Sequence, residues 1–248
     1  MRIEPIIVMP SNAVVSPDSE AVSAIMADVG LAYSRKIGRW PEIAAVTTVS
    51  AGPANITTQI RDQGGQVWRD VLATVGDVSD RIVVAFHAGM PADASGEGSD
   101  AEGTIGNPRP HLGGLAVIGW GRVIDSRRAG MAGRDGNGRL EHGAAVAQVL
   151  HEIGHALGLV HPDDLRTLDT LMGYSLPAFA LGVPGTNPAL FTAAERDVLR
   201  AHDVFTRTTW SGPSDVAMDS LRDSADMVNG TLPVGWGLVM GRFLRDYR

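Results

Sequence analysis

The run His151, Glu152, Ile153, Gly154, His155, Ala156, Leu157, Gly158, Leu159, Val160, His161 constrains this chain more than any other segment. An α-helix advances about 100° per residue, so positions i and i+4 share one face, one turn apart. His151 and His155 therefore call for a helix and present two imidazoles to one point. Gly158 is the natural stop, because glycine accepts the left-handed conformation that ends a helix and turns the chain. The turn returns His161 as a third nitrogen donor. The apolar residues Ala144, Ala145, Val149, Ile153, Ala156 and Leu157 recur at helical spacing and set the face that this helix, about 141–157, buries.

Three imidazoles hold a zinc ion at about 2.0–2.1 Å and leave a fourth position open for water. Neutral ligands leave the full charge on the ion, which lowers the pKa of bound water to about 7. Glu152 sits beside the ligand face, near enough to touch that water without being a ligand. It reads as the general base and acid, taking the water proton and passing it to a leaving amine. The expectation is one catalytic zinc on His151, His155 and His161. Two alternatives stay open: a zinc hydrolase of small amides, esters or peptide ends, with Arg109 or Arg122 as anchor, and a binding module that zinc merely stabilises. Closed structural sites have four protein ligands, which the three here do not match.

Downstream stand Thr170, Leu171, Met172, Gly173 and Tyr174. With the histidine run, this segment resembles the metzincin metallopeptidases, whose signature is HExxHxxGxxH followed by a methionine turn. Pro162 after the third histidine and Tyr174 two residues after the methionine resemble the serralysin branch. Leu190, Phe191, Thr192, Ala193, Ala194 and Glu195 resemble the start of the helix after that turn in matrixins and serralysins. The specific likeness spans about residues 142–205. It implies a zinc metalloendopeptidase acting on a polypeptide, with Met172 as an apolar floor beneath the metal. It also implies Tyr174 as a fifth ligand or oxyanion stabiliser. The implied fold is α/β (α+β): a twisted mixed sheet with helices, the zinc helix at the cleft, and an irregular, helical C-terminal subdomain. Residues 1–158 would form the upper part and 159–248 the lower part of one catalytic domain.

The rest of the chain fits that outline. Residues 3–9 read as a buried strand. Ser16 and Pro17 read as N-cap and first turn of a helix carrying Val22, Ile25, Met26 and Val29. Residues 43–50 read as a second strand. Val67, Trp68, Val71, Leu72 and Val75 mark a helix after Gly64 and Gly65, and 81–87 a third strand. This β-α-β-α-β order predicts a sheet with right-handed crossovers. Residues 89–110, rich in Gly, Pro, Asp, Ser and Asn, read as a long surface loop. Residues 113–124 read as a strand, and by the resemblance Leu115, Ala116, Val117, Ile118 and Gly119 would be the sheet edge that pairs with substrate; an interior strand is the competing reading. Asp135, Gly136, Asn137 and Gly138 read as a solvated turn: an EF-hand would need an acid where Val146 stands, so calcium is not indicated. The apolar segment 175–187 suggests a lining for the residue after the cleaved bond. Thr192 and Glu195 form a capping box. Residues 214–229 form a weaker amphipathic pattern, and the tail, with Trp236, Leu238, Val239 and Phe243, packs onto the body. His87, His111, His142 and His202 lack ligand spacing and read as surface or core residues. Asp163 and Asp164 read as a solvated pair, with orientation of His161 as the other reading.

The 248 residues are 44% hydrophobic and 20% charged, enough for a sizeable core. A net charge of −7 argues against nucleic acid as a partner. The absence of cysteine excludes disulfides and thiolate ligands. The apolar stretch Ile6, Ile7, Val8, Met9 ends at Pro10, too short for a secretory signal core, although the resemblance implies secretion. No run approaches the ~20 apolar residues a membrane helix needs. A monomer without membrane partners is expected.

Overall fold

The third strand alternates two sets of apolar side chains. Ile82, Val84 and Phe86 face one side of the sheet, and Val83 and Ala85 the other; all are buried. A strand apolar on both faces belongs in the middle of a sheet covered by helices. The structure, a computed structural model, describes residues 1–13, 17–52, 66–88, 96–120, 139–163, 170–173 and 191–205. The expected features at Ser16, Arg122, 135–138, Asp164, Tyr174, 175–187 and from 214 to the end lie outside those residues.

The elements are β1 (Ile3–Pro10), α1 (Ser19–Ile37), β2 (Thr47–Ala51), α2 (Gln66–Val75), β3 (Ile82–His87), β4 (Gly96–Asp100), β5 (Gly114–Gly119), α3 (Arg139–Ala156) and α4 (Ala193–Ala201). They give the expected mixed α/β architecture. The sheet order is β2-β1-β3-β5-β4, with all neighbours parallel except the antiparallel pair β4 and β5. One face packs on α1 and α3, with Ile7, Ile82, Phe86 and Ile118 against Ile25, Val29, Val149 and Ile153. Ile6, Val8, Val83, Leu115 and Val117 of the other face pack on Val71 of α2.

Three elements differ from expectation. Helix α1 begins at Ser19, with Asp18 as N-cap accepting from the Glu20 amide at 3.1 Å. A carboxylate there faces the positive end of the helix dipole, which favours it over the upstream Ser16. Strand β2 begins at Thr47; upstream, Ile43 makes only an isolated bridge to Ile3. The largest correction concerns the sheet edge. Leu115, Ala116, Val117, Ile118 and Gly119 lie in β5, paired on one side to β3 and on the other to β4. Their backbone is already engaged, so they are not an edge. The edge is β4, inside the segment that reads as a loop.

Close approach to α3 explains why β4 is built from Gly-Glu-Gly-Ser-Asp. A Cβ on Gly98 would stand 2.1 Å from the Glu152 carbonyl oxygen and 3.0 Å from the His155 Cβ. A Cβ on Gly114 would stand 2.8 Å from the Ala156 carbonyl oxygen. Glycine at these points lets the histidine helix lie directly on the antiparallel pair, so a composition typical of turns here serves packing.

Gly98→Ala is therefore expected to destabilise the protein by about 2 kcal/mol or more. Gly52→Ala, where a Cβ meets nothing within 4 Å, is the control and should stay within about 0.5 kcal/mol of wild type. Urea unfolding of both variants measures the difference; equal midpoints would contradict the close-approach explanation.

Candidate metal centre

Helix α3 ends as the sequence requires. Gly158 has φ 91°, the Leu159 amide donates to the Gly154 carbonyl at 2.9 Å, and the Gly158 amide donates to the His155 carbonyl at 3.0 Å. This pair of bonds is the Schellman arrangement. It also turns the Leu159 carbonyl back toward the helix, where it accepts from Nδ1–H of His155 at 3.0 Å. A side chain on Gly158 is blocked twice: its φ is left-handed, and a Cβ would stand 2.6 Å from Pro108 Cα in the β4–β5 connection.

His151 is fixed from the other direction. Its Nδ1–H donates to the Leu171 carbonyl at 2.8 Å. Leu171 lies in a tight turn closed by the Gly173 amide donating to the Thr170 carbonyl at 3.2 Å. The Thr170 hydroxyl accepts from the Met172 amide at 3.1 Å and donates to the Glu195 carboxylate at 2.6–2.7 Å. Glu195 also accepts from the Thr192 amide at 2.6 Å, completing the capping box at the start of α4. One carboxylate thus joins the α4 cap to the turn that orients His151.

With hydrogens on the Nδ1 atoms of His151 and His155, the Nε2 atoms of these two neutral rings carry lone pairs. These atoms meet Nε2 of His161 at one point: 3.2 Å for His151 to His155, 3.1 Å for His151 to His161, and 3.0 Å for His155 to His161. A tetrahedral ion at about 2.0–2.1 Å from each nitrogen needs them roughly 3.3–3.4 Å apart. The observed triangle is within a few tenths of an ångström of that. An all-imidazole donor set suits zinc and other late first-row divalent ions. Among the described residues, His151, His155 and His161 form a group of side chains whose ligand atoms lie close enough together to hold a metal ion.

Burial keeps the rings neutral. Desolvation, aided by the neighbouring imidazoles, lowers His151 to about 4 and His155 to about 3; it also lowers the half-buried His161. The Nε2 atoms of His151 and His155 therefore stay free of protons through the neutral range and into mild acid.

Met172 is fully buried beside α3; a Cβ on Gly154 would stand 2.6 Å from its sulfur. Glu152 is buried, with Oε1 accepting from Nε2 of Gln148 at 2.6 Å. Gln148, Thr170 and Glu195's second role were not read from the sequence as part of the site. The i−4 spacing of Gln148 from Glu152 was a usable signal for one of them. His202 is a satisfied core histidine: Nε2–H donates to Leu112 at 3.1 Å, and Nδ1 accepts from Val204 at 3.3 Å. His111 is exposed beside Asp203, Asp163 is exposed, and Arg109 is bound by Glu102 at 2.5 Å. No helix among the described residues is long and apolar enough to cross a membrane.

No protein-family model and no curated protein matches the chain. Among solved structures, an archaemetzincin from Methanopyrus kandleri is similar at 16% identity and a TM-score of 0.44, covering 80% of this chain and 94% of its own. A zinc-dependent peptidase from Methanocorpusculum labreanum is similar at 13% identity and a TM-score of 0.35, covering 78% and 99% respectively.

Two outcomes follow from the geometry. In the unfolded chain an imidazole takes its proton near pH 6.5, whereas folded, metal-free His151, His155 and His202 take theirs near 4, 3 and 4. Between those values the unfolded chain binds more protons, so stability is present above about 6.5 and is lost as pH falls. The melting temperature of chelated protein should drop from pH 7 to pH 5, and zinc should raise it at both pH values without removing the drop; a flat profile would contradict the buried neutral histidines. Separately, Thr170→Val removes the hydroxyl joining Glu195 to the turn. Zinc affinity should weaken about 10- to 100-fold by competition with a chromophoric chelator, and an unchanged affinity would show that the link does not orient His151.

Proposed function

We propose that this chain is a zinc-dependent metalloendopeptidase of the metzincin type, with motifs that resemble those of serralysin and matrixin catalytic domains. The observation that carries the reading is the convergence of three imidazole Nε2 atoms, 3.0–3.2 Å from one another, one residue from a buried glutamate. His151, His155 and His161 would hold one zinc ion. When bound, the ion supplies Lewis acidity, lowering the pKa of water to about 7 and polarising a carbonyl.

The chain's own residues do the rest. Glu152 takes a proton from the attacking water onto its carboxylate and delivers it to the leaving nitrogen. Its burial and its bond to Gln148 keep that carboxylate in one place. Met172 would form an apolar floor beneath the metal. Tyr174 is assigned, by resemblance, the stabilisation of charge on the carbonyl oxygen.

The substrate is a polypeptide bound in extended form. The strand that would pair with it is β4, which ends the sheet among the described residues and whose inner face lies on the helix bearing Glu152. Backbone pairing there fixes a peptide bond's direction with little dependence on side chains. Residues 1–158 and 159–248 form the two parts of one catalytic domain around the cleft, and the protein acts as a monomer.

The test is zinc stoichiometry together with cleavage of an unstructured protein by wild type, chelated protein and Glu152→Gln. One zinc per chain is expected, with activity lost on chelation and restored by zinc. Glu152→Gln should retain the metal and lose about 10²–10⁴ in kcat. Absence of zinc binding, or full activity in Glu152→Gln, would sink the proposal.

A further inference from the structure

Glu152 is handled by two elements besides its own turn of helix. Gln148 lies one turn earlier on α3, so the two side chains share a face. Both are buried, at 7% and 4% exposure, and the Gln148 amide donates to Oε1 of Glu152 at 2.6 Å. From β4, Gly96 closes on the same side chain. A Cβ on Gly96 would stand 2.6 Å from Cγ, 2.8 Å from Cδ and 2.8 Å from Oε1 of Glu152. No real Cβ tolerates such distances, so the rotamer Glu152 occupies exists only because residue 96 has no side chain.

The contrast within β4 is informative. A methyl on Gly98 would strike the backbone of α3, but a methyl on Gly96 would strike the movable end of one side chain. The first change disturbs the fold; the second displaces a carboxylate and leaves the helix where it is. A glutamate has three side-chain torsions, and ordering them before substrate arrives removes a cost that the reaction would otherwise carry. The donor is a neutral amide, which fixes the carboxylate without adding charge beside the metal ligands.

We propose that Gln148 and Gly96 are positioning residues for the general base: Gln148 anchors the Glu152 carboxylate by its amide, and Gly96 reserves the space it occupies. This rests on the reading of Glu152 as the base. A merely structural Gln148 would affect stability without selectively affecting turnover.

Gln148→Met keeps the length and removes the donor; Gly96→Ala inserts the wedge. Both would be compared with wild type and Glu152→Gln for zinc content, thermal unfolding, and kcat and KM on an internally quenched peptide. The expected result is one zinc per chain in both variants, cooperative unfolding, kcat reduced about 10-fold or more, and KM within about twofold. Placed in the Glu152→Gln background, both changes should leave the residual rate unaltered, since no base remains to be positioned. If wild type does not cleave the peptide, or Glu152→Gln cleaves it fully, the peptidase reading fails. If Glu152→Gln is inactive but both variants keep kcat within twofold of wild type, this inference fails while the peptidase reading stands. Loss of zinc or of cooperative unfolding in both variants also overturns it, because it assigns them to the base alone; if only Gly96→Ala misfolds, kcat of Gln148→Met decides.

Discussion

Three imidazole lone pairs aimed at one point repel one another, and the rest of the site keeps them there. Each ring of the helical pair is held by a carbonyl: Leu159 for His155 and Leu171 for His151. One carbonyl lies just past the end of α3 and the other in the turn at 170–173, so the helix end and that turn act as two halves of one holder. A cation at the centre would convert the repulsion into binding energy, so packing that costs stability without metal would favour a metal-bound state.

The holder is itself supported by a sheet whose central strands β3 and β5 are apolar and buried on both faces. Phe86 and Ile118 press on α1 and α3, while Val83 and Val117 press on the α2 side. The polar residues His151, Glu152, His155, Gln148 and Thr170 are buried, each with a partner. At the far side of α1, Tyr33 stacks on Phe191 at 5.8 Å and packs against Phe205, tying α1 to the segment that carries Glu195. Its hydroxyl has no hydrogen-bond partner among the described residues, and burial pushes the phenol pKa far up. The aromatic stack, not the hydroxyl, is what joins these elements.

The legible parts of this molecule were the local ones. The spacing of His151 and His155, the stop at Gly158 and the Thr192–Glu195 box each follow from backbone rules acting over a few residues. The central strands were legible because burial on both faces leaves continuous apolar runs. Strand β4 was not, because Gly-Glu-Gly-Ser-Asp has the composition of a turn and its glycines answer to a helix more than 50 residues away (Glu152 against Gly98). The same blindness put the sheet edge at Leu115 to Gly119, since nothing in a single strand says whether a further strand pairs beyond it. The link from Glu195 through Thr170 to Leu171 was likewise hidden, being a contact between segments with no periodicity to connect them.

With zinc bound, His151, His155 and His161 would supply three ligands and leave one position open. X-ray absorption at the zinc edge of the metal-loaded protein reads this shell. The expected result is three imidazole nitrogens at about 2.0–2.1 Å and one further light atom that is not imidazole. A fourth imidazole, fewer than three, or a closed shell of protein ligands would contradict it.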